Sequence, residues 1–600
     1  MINWLDHRTG FKQLLSEVLF ENIPGGARWR YVWGSTLSFT FFVQIVTGIM
    51  LWMAYSPSAQ TAWESVFFIQ YEMSFGWLLR GVHHYTAQAM NILLVLHLLQ
   101  VIIDGAYKAP REVNYWFGIG LLNLVLALSL TGYLLPWDQK GYWATKVTTS
   151  IMAITPGIGP ELEKLVVGGA EYGHHTLTRF FALHAGVLPA AVVALIVGHI
   201  YLFRRHGITA KKPLRRPDAM FWPDQVLKDG VACLAVFAVV LLFVVKGAIL
   251  GDGHLGAGLG APAEPSEPYA AARPEWYFLF LFQFLKYFPG ENEIYGAMVI
   301  PGAIMGFICL MPFWGRWRIG HAFNLLFIAV LFGGIGYLTV QAILEDRSKP
   351  EYLAAVDAAA ESAERIRVLA QAPTGIPVEG AVTLLRNDPF TQGPKLFAAH
   401  CASCHRYDGH DGTGVVPTDE PSAADLKGFA SREWLTDFLD PAHVATDRFL
   451  GKTAFAEGKM VKFVNRKVAN FDEDEKEQLK KIIIALSAEA QLTSQRDADA
   501  AEATLIEEGK THLLDDIACA DCHEYHFEDE DVSGPDLTGY GSRDWLISMI
   551  SDPASDSHYG EANDRMPSFG PDGVLTTREI ELLVDWLRGD WYEPVTATVN

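Results

Sequence analysis

Four histidines with matched spacing lie inside two apolar segments of this sequence. His83 and His97 are 14 residues apart, and His184 and His199 are 15 residues apart. In an α-helix either interval returns to nearly the same face after a rise of about 22 Å. One histidine in such a segment is more often a hydrogen-bonded packing residue, but four with matching intervals predict two imidazole pairs at two depths. Facing neutral imidazoles of this kind are the axial ligands of two six-coordinate b-type haems.

Glycines repeat the same interval on the two apolar segments that alternate with the histidine segments. They are Gly34, Gly48, Gly118 and Gly132. A missing Cβ lets a flat macrocycle approach the backbone, although small-residue helix packing is the competing explanation. Arg80 and Arg179 begin the two histidine segments and are candidate partners of haem propionates, with snorkelling to the interface as the alternative.

A second chemistry is indicated by the cysteines, because four of the six fall in two CxxCH motifs. The motifs are Cys401, Cys404, His405 and Cys519, Cys522, His523. A single CxxC could be a redox dithiol or half of a zinc site, but two copies that each end in His predict covalent c-type haems. Met566, in DRMPSFG, is the predicted sixth ligand of one haem. Met460, in EGKMVKF, is the candidate for the other, with His443 or no ligand as the alternatives.

These motifs lie in two parts of the chain with opposite character. Of the 600 residues 50% are apolar, yet the formal net charge is −22. Residues 1–344 hold 23 Lys and Arg against 20 Asp and Glu, a net of +3, whereas residues 345–600 hold 24 against 49, a net of −25. The two properties are segregated, which favours a membrane part followed by a water-soluble part.

The elements that must position the histidines are membrane-spanning helices. Seven apolar stretches are long enough to cross a bilayer, near 32–54, 78–103, 114–135, 179–203, 230–250, 295–314 and 321–344. Lys and Arg concentrate in the leader and in alternate loops, 15 against 5 in the others. The positive-inside rule then predicts a cytoplasmic N-terminus and an exported acidic C-terminal part.

An internal repeat organises the exported part. DLKGFASREWLTDFLDP after the first CxxCH matches DLTGYGSRDWLISMISDP after the second, and each is followed by a Met and a terminal helix. Two homologous modules of this kind are predicted in tandem. They resemble small class I cytochromes c.

The membrane part resembles cytochrome b of the bc1 and b6f complexes. The resemblance covers residues from about 20 to 344, and its carriers are GWLLRGVHHYTAQAMNILLVLH (76–97), TGYLLPWDQKGYWATK (131–146), LTRFFALHAGVLPAAVVALIVGH (177–199) and PEWYFL (274–279). The membrane part is more similar to the b6f type, because it shares the 15-residue histidine interval, the LPWDQ and GYWA motifs and a count of four plus three spans. Unlike in b6f, the subunit IV-like part is fused to the four-helix part in one chain. Val32 stands where the b6f pattern has a haem-attaching cysteine, so no covalent haem is expected in the membrane part.

The resulting expectation is an all-α protein: a seven-span bundle followed by two small cytochrome c domains. The predicted divisions are an amphipathic leader (1–31), a four-helix di-haem bundle (32–210), a three-helix subunit IV-like part (211–344), a linker (345–390) and two cytochrome c domains (391–490 and 500–595).

The resemblance also implies two quinone sites. Glu275, in the PEWY motif, matches the carboxylate at the outer quinol-oxidation site, where it would accept a proton as the electrons leave, with Tyr142 and Tyr277 as companions. An interfacial aromatic belt is the alternative for PEWY. On the inner side Lys228, Asp229 and the basic run containing Arg205 are candidates for the second site, although topology alone explains the basic run.

The function that follows is quinol:cytochrome c oxidoreduction coupled to proton translocation. Electrons would cross the membrane through two b haems and leave through two c haems. The two remaining cysteines, Cys233 and Cys309, stand alone inside apolar runs and are interpreted as small buried hydrophobic residues. No cysteine is then left for an iron–sulfur cluster, so a separate Rieske protein is expected, together with a soluble or membrane-bound electron acceptor such as a cytochrome c. The family implies a homodimeric complex in a bacterial inner membrane, with the c haems on the periplasmic side; no nucleic-acid motif is present. The alternative is a quinone-reducing or electron-relay anchor fed from the periplasm.

Overall fold

The computed structural model describes residues 2–209, 216–251, 253–517, 519–527 and 533–594. Within this part of the chain the fold is almost entirely helical, and the predicted all-α class is confirmed. The predicted domain boundaries at 210, 211 and 595 lie outside the described residues.

The helices are joined by connections of very different length. The α-helices are α1 (Ile2–Thr9), α2 (Phe11–Leu19), α3 (Trp33–Trp52), α4 (Ala62–Phe67), α5 (Gly76–Ile103), α6 (Glu112–Tyr133), α7 (Gln139–Ala153), α8 (Gly159–Val167), α9 (His174–Ala182), α10 (Leu188–His206), α11 (Val226–Leu250), α12 (Leu279–Leu285), α13 (Ile300–Gly315), α14 (Arg318–Arg347), α15 (Pro350–Ala370), α16 (Val382–Arg386), α17 (Pro389–His400), α18 (Arg432–Phe438), α19 (Lys459–Arg466), α20 (Glu473–Glu489), α21 (Arg496–Ala501), α22 (Ala503–Asp515), α23 (Arg543–Ser551) and α24 (Thr577–Arg588). Five-residue π turns precede or interrupt some of them, at Phe68–Glu72, Leu183–Val187 and Tyr295–Val299.

Seven helical segments are long and apolar enough to cross a membrane, as the sequence predicts. They are Trp33–Trp52, Gly76–Ile103, Glu112–Tyr133, His174–His206, Phe221–Leu250, Gly290–Gly315 and Arg318–Arg347. The fourth consists of α9, a π turn and α10. α3 contains no charged residue and α5 contains one, Arg80, so each can bury its length in hydrocarbon.

The chain divides into two compact units. One comprises residues up to Arg367 with 376–382, and the other comprises 368–375 and the residues from Thr383 onward. In the first unit α3 packs on α5 and α6 packs on α10, which gives a four-helix bundle. An apolar cluster joins these four helices, with Phe41, Met90, Val125 and Val192 buried at its centre. Each lies midway between the two glycines or histidines of its own span, so the cluster separates two levels of the bundle.

The later spans pack around this bundle. α11 packs on α5 through Val82, Val240 and Val244. α13 and α14 pack on each other, and their contact with α5 and α6 includes the buried side chains of Tyr107 and Tyr115. The leader is tied to the chain before α11 by the antiparallel strands β1 (Asn22–Ile23) and β2 (Ala219–Met220).

The second unit contains both CxxCH repeats, and its longest helices pack crosswise between them. α17 of the first repeat packs on α24 of the second, and α20 of the first repeat packs on α22 of the second. Capping boxes begin both C-terminal helices, formed by Asp472 and Glu475 for α20 and by Thr576 and Glu579 for α24. Such boxes satisfy the first free backbone N–H groups of a helix.

Candidate haem and quinol sites

The four histidines of the bundle form two facing pairs, one at each level. The ring centroids of His83 and His184 are 6.3 Å apart, and those of His97 and His199 are 6.4 Å apart. Two metal–imidazole bonds of about 2 Å each, together with the distance from the bonded nitrogen to the ring centre in each of the two rings, span about 6 Å. Each pair therefore fits an iron held from both sides.

The protonation of these rings suits iron binding. Nδ1 of His184 lies 3.1 Å from the backbone oxygen of Leu128, and Nδ1 of His199 lies 3.0 Å from that of Asn114. A carbonyl only accepts hydrogen bonds, so Nδ1 carries the proton and the Nε2 lone pair is free to bind a metal.

Two threonines that the sequence analysis did not single out hold the same imidazoles. The Thr47 hydroxyl lies 2.9 Å from Nδ1 of His83, and the Thr131 hydroxyl lies 3.2 Å from Nδ1 of His184. Each threonine directly precedes one of the interval glycines, so a repeated Thr-Gly pair was the available signal. These contacts orient the two rings of the His83–His184 level.

The interval glycines lie against the imidazoles themselves. A Cβ on each glycine would meet the Cε1 atom of one histidine, at 3.6 Å for Gly34 and His97, 3.3 Å for Gly48 and His83, 3.4 Å for Gly118 and His199 and 2.5 Å for Gly132 and His184. α3 thus backs the two histidines of α5, and α6 backs the two histidines of the fourth span.

A π turn explains why one histidine interval is a residue longer than the other. His184 lies in the π turn Leu183–Val187, whereas His83 and His97 share one α-helix. A π turn contains one residue more than an α turn. The turn absorbs the extra residue and brings His184 and His199 level with His83 and His97.

The two arginines make contacts that the sequence did not predict. The Arg80 guanidinium donates to the backbone oxygens of 257–258, at 2.6 and 2.8 Å, and to Oε1 of Gln70, at 2.8 Å. Arg179 donates to the backbone oxygens of 164–165. Both arginines therefore tie loops to the starts of their helices, and propionate binding by either stays a prediction.

Glu275 lies in a small polar cluster. Its carboxylate accepts from Nε2 of Gln88 at 3.3 Å and lies 3.5 Å from Nζ of Lys140, while the Trp276 indole donates to Oε1 of Gln88 at 2.7 Å. Its side chain is only 14% exposed. Burial, followed by the charge of Glu275, raises the pKa of the neighbouring Tyr277 phenol, which stays protonated.

Tyr142 lies in a different cluster from Glu275. Its ring is buried among aromatic side chains, with centroids 5.4 Å from Trp137 and 5.6 Å from Tyr172. Burial raises its pKa, with Tyr172 a smaller cause. The structure thus brings Tyr277 together with Glu275 and places Tyr142 in the packing of the 134–180 region.

The candidate inner-site residues bind separate partners. Lys228 donates to the backbone oxygen of Asp224 at 3.2 Å, and Asp229 accepts from Nε2 of Gln225 at 2.8 Å. The Arg205 side chain is exposed. All lie near the β1–β2 pairing of the leader, and their role in quinone binding stays a prediction.

Both CxxCH histidines have the tautomer that iron requires. Nδ1 of His405 donates to the backbone oxygen of Ala424 at 2.7 Å, and Nδ1 of His523 donates to that of Pro535 at 2.8 Å. Burial lowers the pKa of both rings, which keeps them neutral with Nε2 available.

The four cysteines of the motifs are free thiols rather than disulfides. Burial, with a contribution from Cys404, raises the pKa of Cys401 to about 12, and burial, followed by Asp521, raises that of Cys519 to about 11. The thiols lie in apolar surroundings, which suits thioether attachment of a haem.

Each candidate methionine packs in an apolar cluster that contains one CxxCH motif. Met566 borders the cluster that includes Cys401 and Ala402, and Met460 borders the cluster that includes Cys519. His443, the alternative to Met460, is exposed and has Nδ1 3.4 Å from Oδ1 of Asp437.

This fold and these sites define a membrane-embedded cytochrome with an appended c-type part. The cytochrome b/b6/petB family model matches residues 21–207, and the cytochrome c family model matches residues 390–483. The chain is 38% identical over 217 residues to the menaquinol:cytochrome c reductase cytochrome b subunit of Geobacillus thermodenitrificans, covering 35% of this chain and 97% of that one.

Two further relatives show the same similarity. Cytochrome b6 of Picosynechococcus sp. is 32% identical over 209 residues, which are 35% of this chain and 94% of the relative. Cytochrome b of Rhodobacter capsulatus is 31% identical over 320 residues, which are 51% of this chain and 71% of the relative. The chain belongs to the cytochrome b/b6 family and continues into a cytochrome c region, which confirms the resemblance drawn from the sequence. It is an integral membrane protein with b-type and c-type haem domains.

Proposed function

We propose that this chain is the cytochrome b subunit of a quinol:cytochrome c oxidoreductase and carries its own di-haem cytochrome c region. The observation that carries the proposal is the pair of facing imidazoles at each of two levels of the bundle, 6.3 and 6.4 Å apart. The relatives named as quinol or menaquinol reductase subunits support the same activity.

Four haems per chain follow from these ligands. The pairs His83 with His184 and His97 with His199 would hold two b haems, and the two CxxCH motifs would attach two c haems. When bound, the haems supply single-electron transfer across the membrane and outward from it. The residues of the chain orient the rings, and oxygen atoms next to Nδ1 of His83, His184, His199, His405 and His523 leave Nε2 of these rings unprotonated.

At the outer site Glu275 is the proposed proton acceptor. Its carboxylate is mostly buried, and Gln88 and Lys140 fix its position at 3.3 and 3.5 Å. A quinol hydroxyl placed against it would lose its proton to the carboxylate as the electron leaves. The phenol of Tyr277, which burial keeps protonated, is a second polar group close to Glu275.

The direction of proton movement rests on the distribution of basic residues. Lys and Arg number 15 on one set of loops and 5 on the other, which supports a cytoplasmic N-terminus and c haems on the outer side. Quinol oxidation at the outer site releases protons outward. Reduction of a second quinone near Lys228, Asp229 and Arg205 would take protons up from inside.

Partners complete the proposed complex. A Rieske cluster needs two Cys and two His ligands. Outside the CxxCH motifs the sequence has only Cys233 and Cys309, which lie singly in the apolar helices α11 and α13, and neither helix contains a histidine. We therefore place the iron–sulfur protein on a separate chain, in a homodimeric complex that delivers electrons to an acceptor such as a cytochrome c. A purified active complex without an iron–sulfur electron paramagnetic resonance signal would overturn this assignment.

The decisive experiment is Glu275→Gln, assayed by quinol-dependent reduction of an acceptor cytochrome. Loss of a positioned proton acceptor should lower turnover by about 10²–10³-fold while the haem content stays unchanged. Glu291→Gln is the matched control, because Glu291 is an exposed carboxylate in the turn Gly290–Asn292, on the far side of α12 from Glu275. Full turnover in the Glu275 variant would favour the relay anchor fed from the periplasm.

A further inference from the structure

We infer that each c haem pocket is assembled from both repeats. The haem attached at Cys401 and Cys404 is ligated by His405 and by Met566 of the second repeat, and the haem attached at Cys519 and Cys522 is ligated by His523 and by Met460 of the first. This inference rests on the proposed attachment of two c haems. It concerns which parts of the chain enclose each of them.

The first observation is the contact between α17 and α24, which belong to different repeats. A Cβ on Gly393 of α17 would lie 2.2 Å from the Cβ of Trp586, so the two helices touch at the backbone of Gly393. The Trp586 indole stacks on Tyr407, with centroids 4.3 Å apart, and contacts Phe397 at 5.5 Å. Tyr407 is two residues after His405, so the helix ending the second repeat covers the first haem motif.

The second observation is the reciprocal contact of α20 with α22. A Cβ on Gly509 of α22 would lie 2.1 Å from the backbone oxygen of Lys481, whose Nζ is 2.7 Å from Glu508. Glu489, at the end of α20, accepts from the Tyr525 hydroxyl at 3.1 Å. Tyr525 is two residues after His523, so the helix ending the first repeat covers the second haem motif.

The third observation is the composition of the two apolar clusters. One cluster contains Phe397, Cys401, Ala402, Leu426, Trp545, Met549, Met566, Phe569 and Trp586. Residues from between 424 and 540 form the other, which contains Trp434, Phe449, Met460, Val461, Ile482, Leu513, Cys519, Tyr525 and Leu537. Phe429 and Tyr540 border both clusters. A haem tied to Cys401 and His405 takes its sixth ligand from a side chain close to Cys401. Met566 borders the cluster that contains Cys401, and Met460 borders the cluster that contains Cys519.

The fourth observation is the crossing point of the two repeats. Phe429 and Tyr540 occupy equivalent positions in GFASRE and GYGSRD, and their ring centroids are 5.4 Å apart. The next equivalent pair, Ala430 and Gly541, both have positive φ, +60° and +72°. A Cβ on Gly541 would lie 2.3 Å from the Cβ of Ala430. Contact between equivalent residues is the mark of a two-fold relation, here between two repeats that have exchanged their N-terminal helices.

Ligation across the repeats is tested in full-length chains that retain one c haem. With Cys519→Ala and Cys522→Ala, only the first motif attaches haem. Met566→Leu should then abolish the thioether-to-iron absorption band and lower the midpoint potential, because a thioether ligand raises it. Met460→Leu should leave both unchanged, as should Met549→Leu, a control in the same cluster. The reverse pattern, or no effect of Met566→Leu, would overturn the inference.

Haem attachment is measured separately in each sample by pyridine haemochrome. Absence of covalent haem from the unmodified chain would reject the proposed c haems. Dependence of the first haem on Met460 instead of Met566 would reject only ligation across the repeats. The reciprocal chain, with Cys401→Ala and Cys404→Ala, should depend on Met460 and not on Met566.

A second measurement needs no change near either haem. A protease site inserted between Asp497 and Ala498, both exposed, cuts the chain between the repeats. If α24 packs on α17 and α22 packs on α20 as inferred, these contacts should keep the C-terminal fragment on the membrane after cleavage and washing in high salt. Its release as a soluble single-haem fragment would overturn the inference, and the chain without the site is the protease control.

Discussion

The imidazole of His184 lies so close to Gly132 that a Cβ at position 132 would stand 2.5 Å from its Cε1 atom. Real Cβ atoms essentially never approach other heavy atoms this closely, so the ring must move if the glycine is replaced. The ring is meanwhile held by the backbone oxygen of Leu128 at 3.1 Å. A glycine of one helix thus fixes the position of a proposed haem ligand on another.

Gly132→Ala should therefore remove or loosen the b haem proposed at the His83–His184 level and lower b-haem content towards half. Gly34→Ala is the control, since its Cβ would make an ordinary contact of 3.6 Å with His97. Both substitutions gain similar helix propensity, so the difference isolates the clash. Equal b-haem content in the two variants, measured by haemochrome spectra, would contradict the prediction.

Thr47→Val should keep the b haems but raise the midpoint potential of one. The Thr47 hydroxyl donates to the Val43 oxygen at 2.7 Å and lies 2.9 Å from Nδ1 of His83. When the hydroxyl oxygen accepts a hydrogen bond from Nδ1–H, the imidazole becomes a more basic ligand. A more basic ligand favours ferric over ferrous iron. A net hydrogen bond is worth about 1 kcal/mol, so the upward shift should be on the order of 40 mV, given about 59 mV per tenfold change. Redox titration of Thr36→Val, which changes a buried threonine bonded to Val32, should show no shift.

Thr576→Ala should destabilise the c region by about 1 kcal/mol near neutral pH. The backbone N–H and hydroxyl of Thr576 lower the pKa of Glu579 in the capping box of α24. This contribution is complete above the ordinary carboxyl pKa of about 4.3 and is lost as the pH falls through the lowered pKa. Thermal unfolding should show a variant deficit at pH 7 that narrows at acidic pH. A loss of thermal stability that does not change with pH, or that is equally large in Thr577→Ala, would argue against a stabilising role of the capping box.

Haem analysis of the purified chain should give two b haems and two c haems. The c haems should remain with the polypeptide after acid-acetone extraction, because thioether bonds are covalent, while the b haems should be extracted. Because Val32 replaces an attachment cysteine of the b6f pattern, a fragment ending before residue 390 should retain no haem after extraction. Any haem that stays on that fragment would contradict the reading of position 32.

The sequence was sufficient wherever chemistry depends on local spacing. The 14- and 15-residue histidine intervals predict facing pairs because helical rise and rotation are fixed. CxxCH places two thiols and a ligand within one turn, and both motifs and all seven spans could be read directly. The contacts of Arg80 with 257–258 could not be read, because that loop is far along the chain and carries no motif of its own.

Residue order by itself predicted the candidate haem ligands, the spans and the repeat, since each depends on residues that lie close together in the sequence. Only the tertiary structure decided which parts meet: the π turn that levels His184 with His83, the packing of Tyr142 against Trp137 and Tyr172, and the packing of α17 on α24 and of α20 on α22. The physical reason is that homologous helices present equivalent apolar faces. Either N-terminal helix can pack on either C-terminal helix, and the choice depends on the whole chain path rather than on any local pattern.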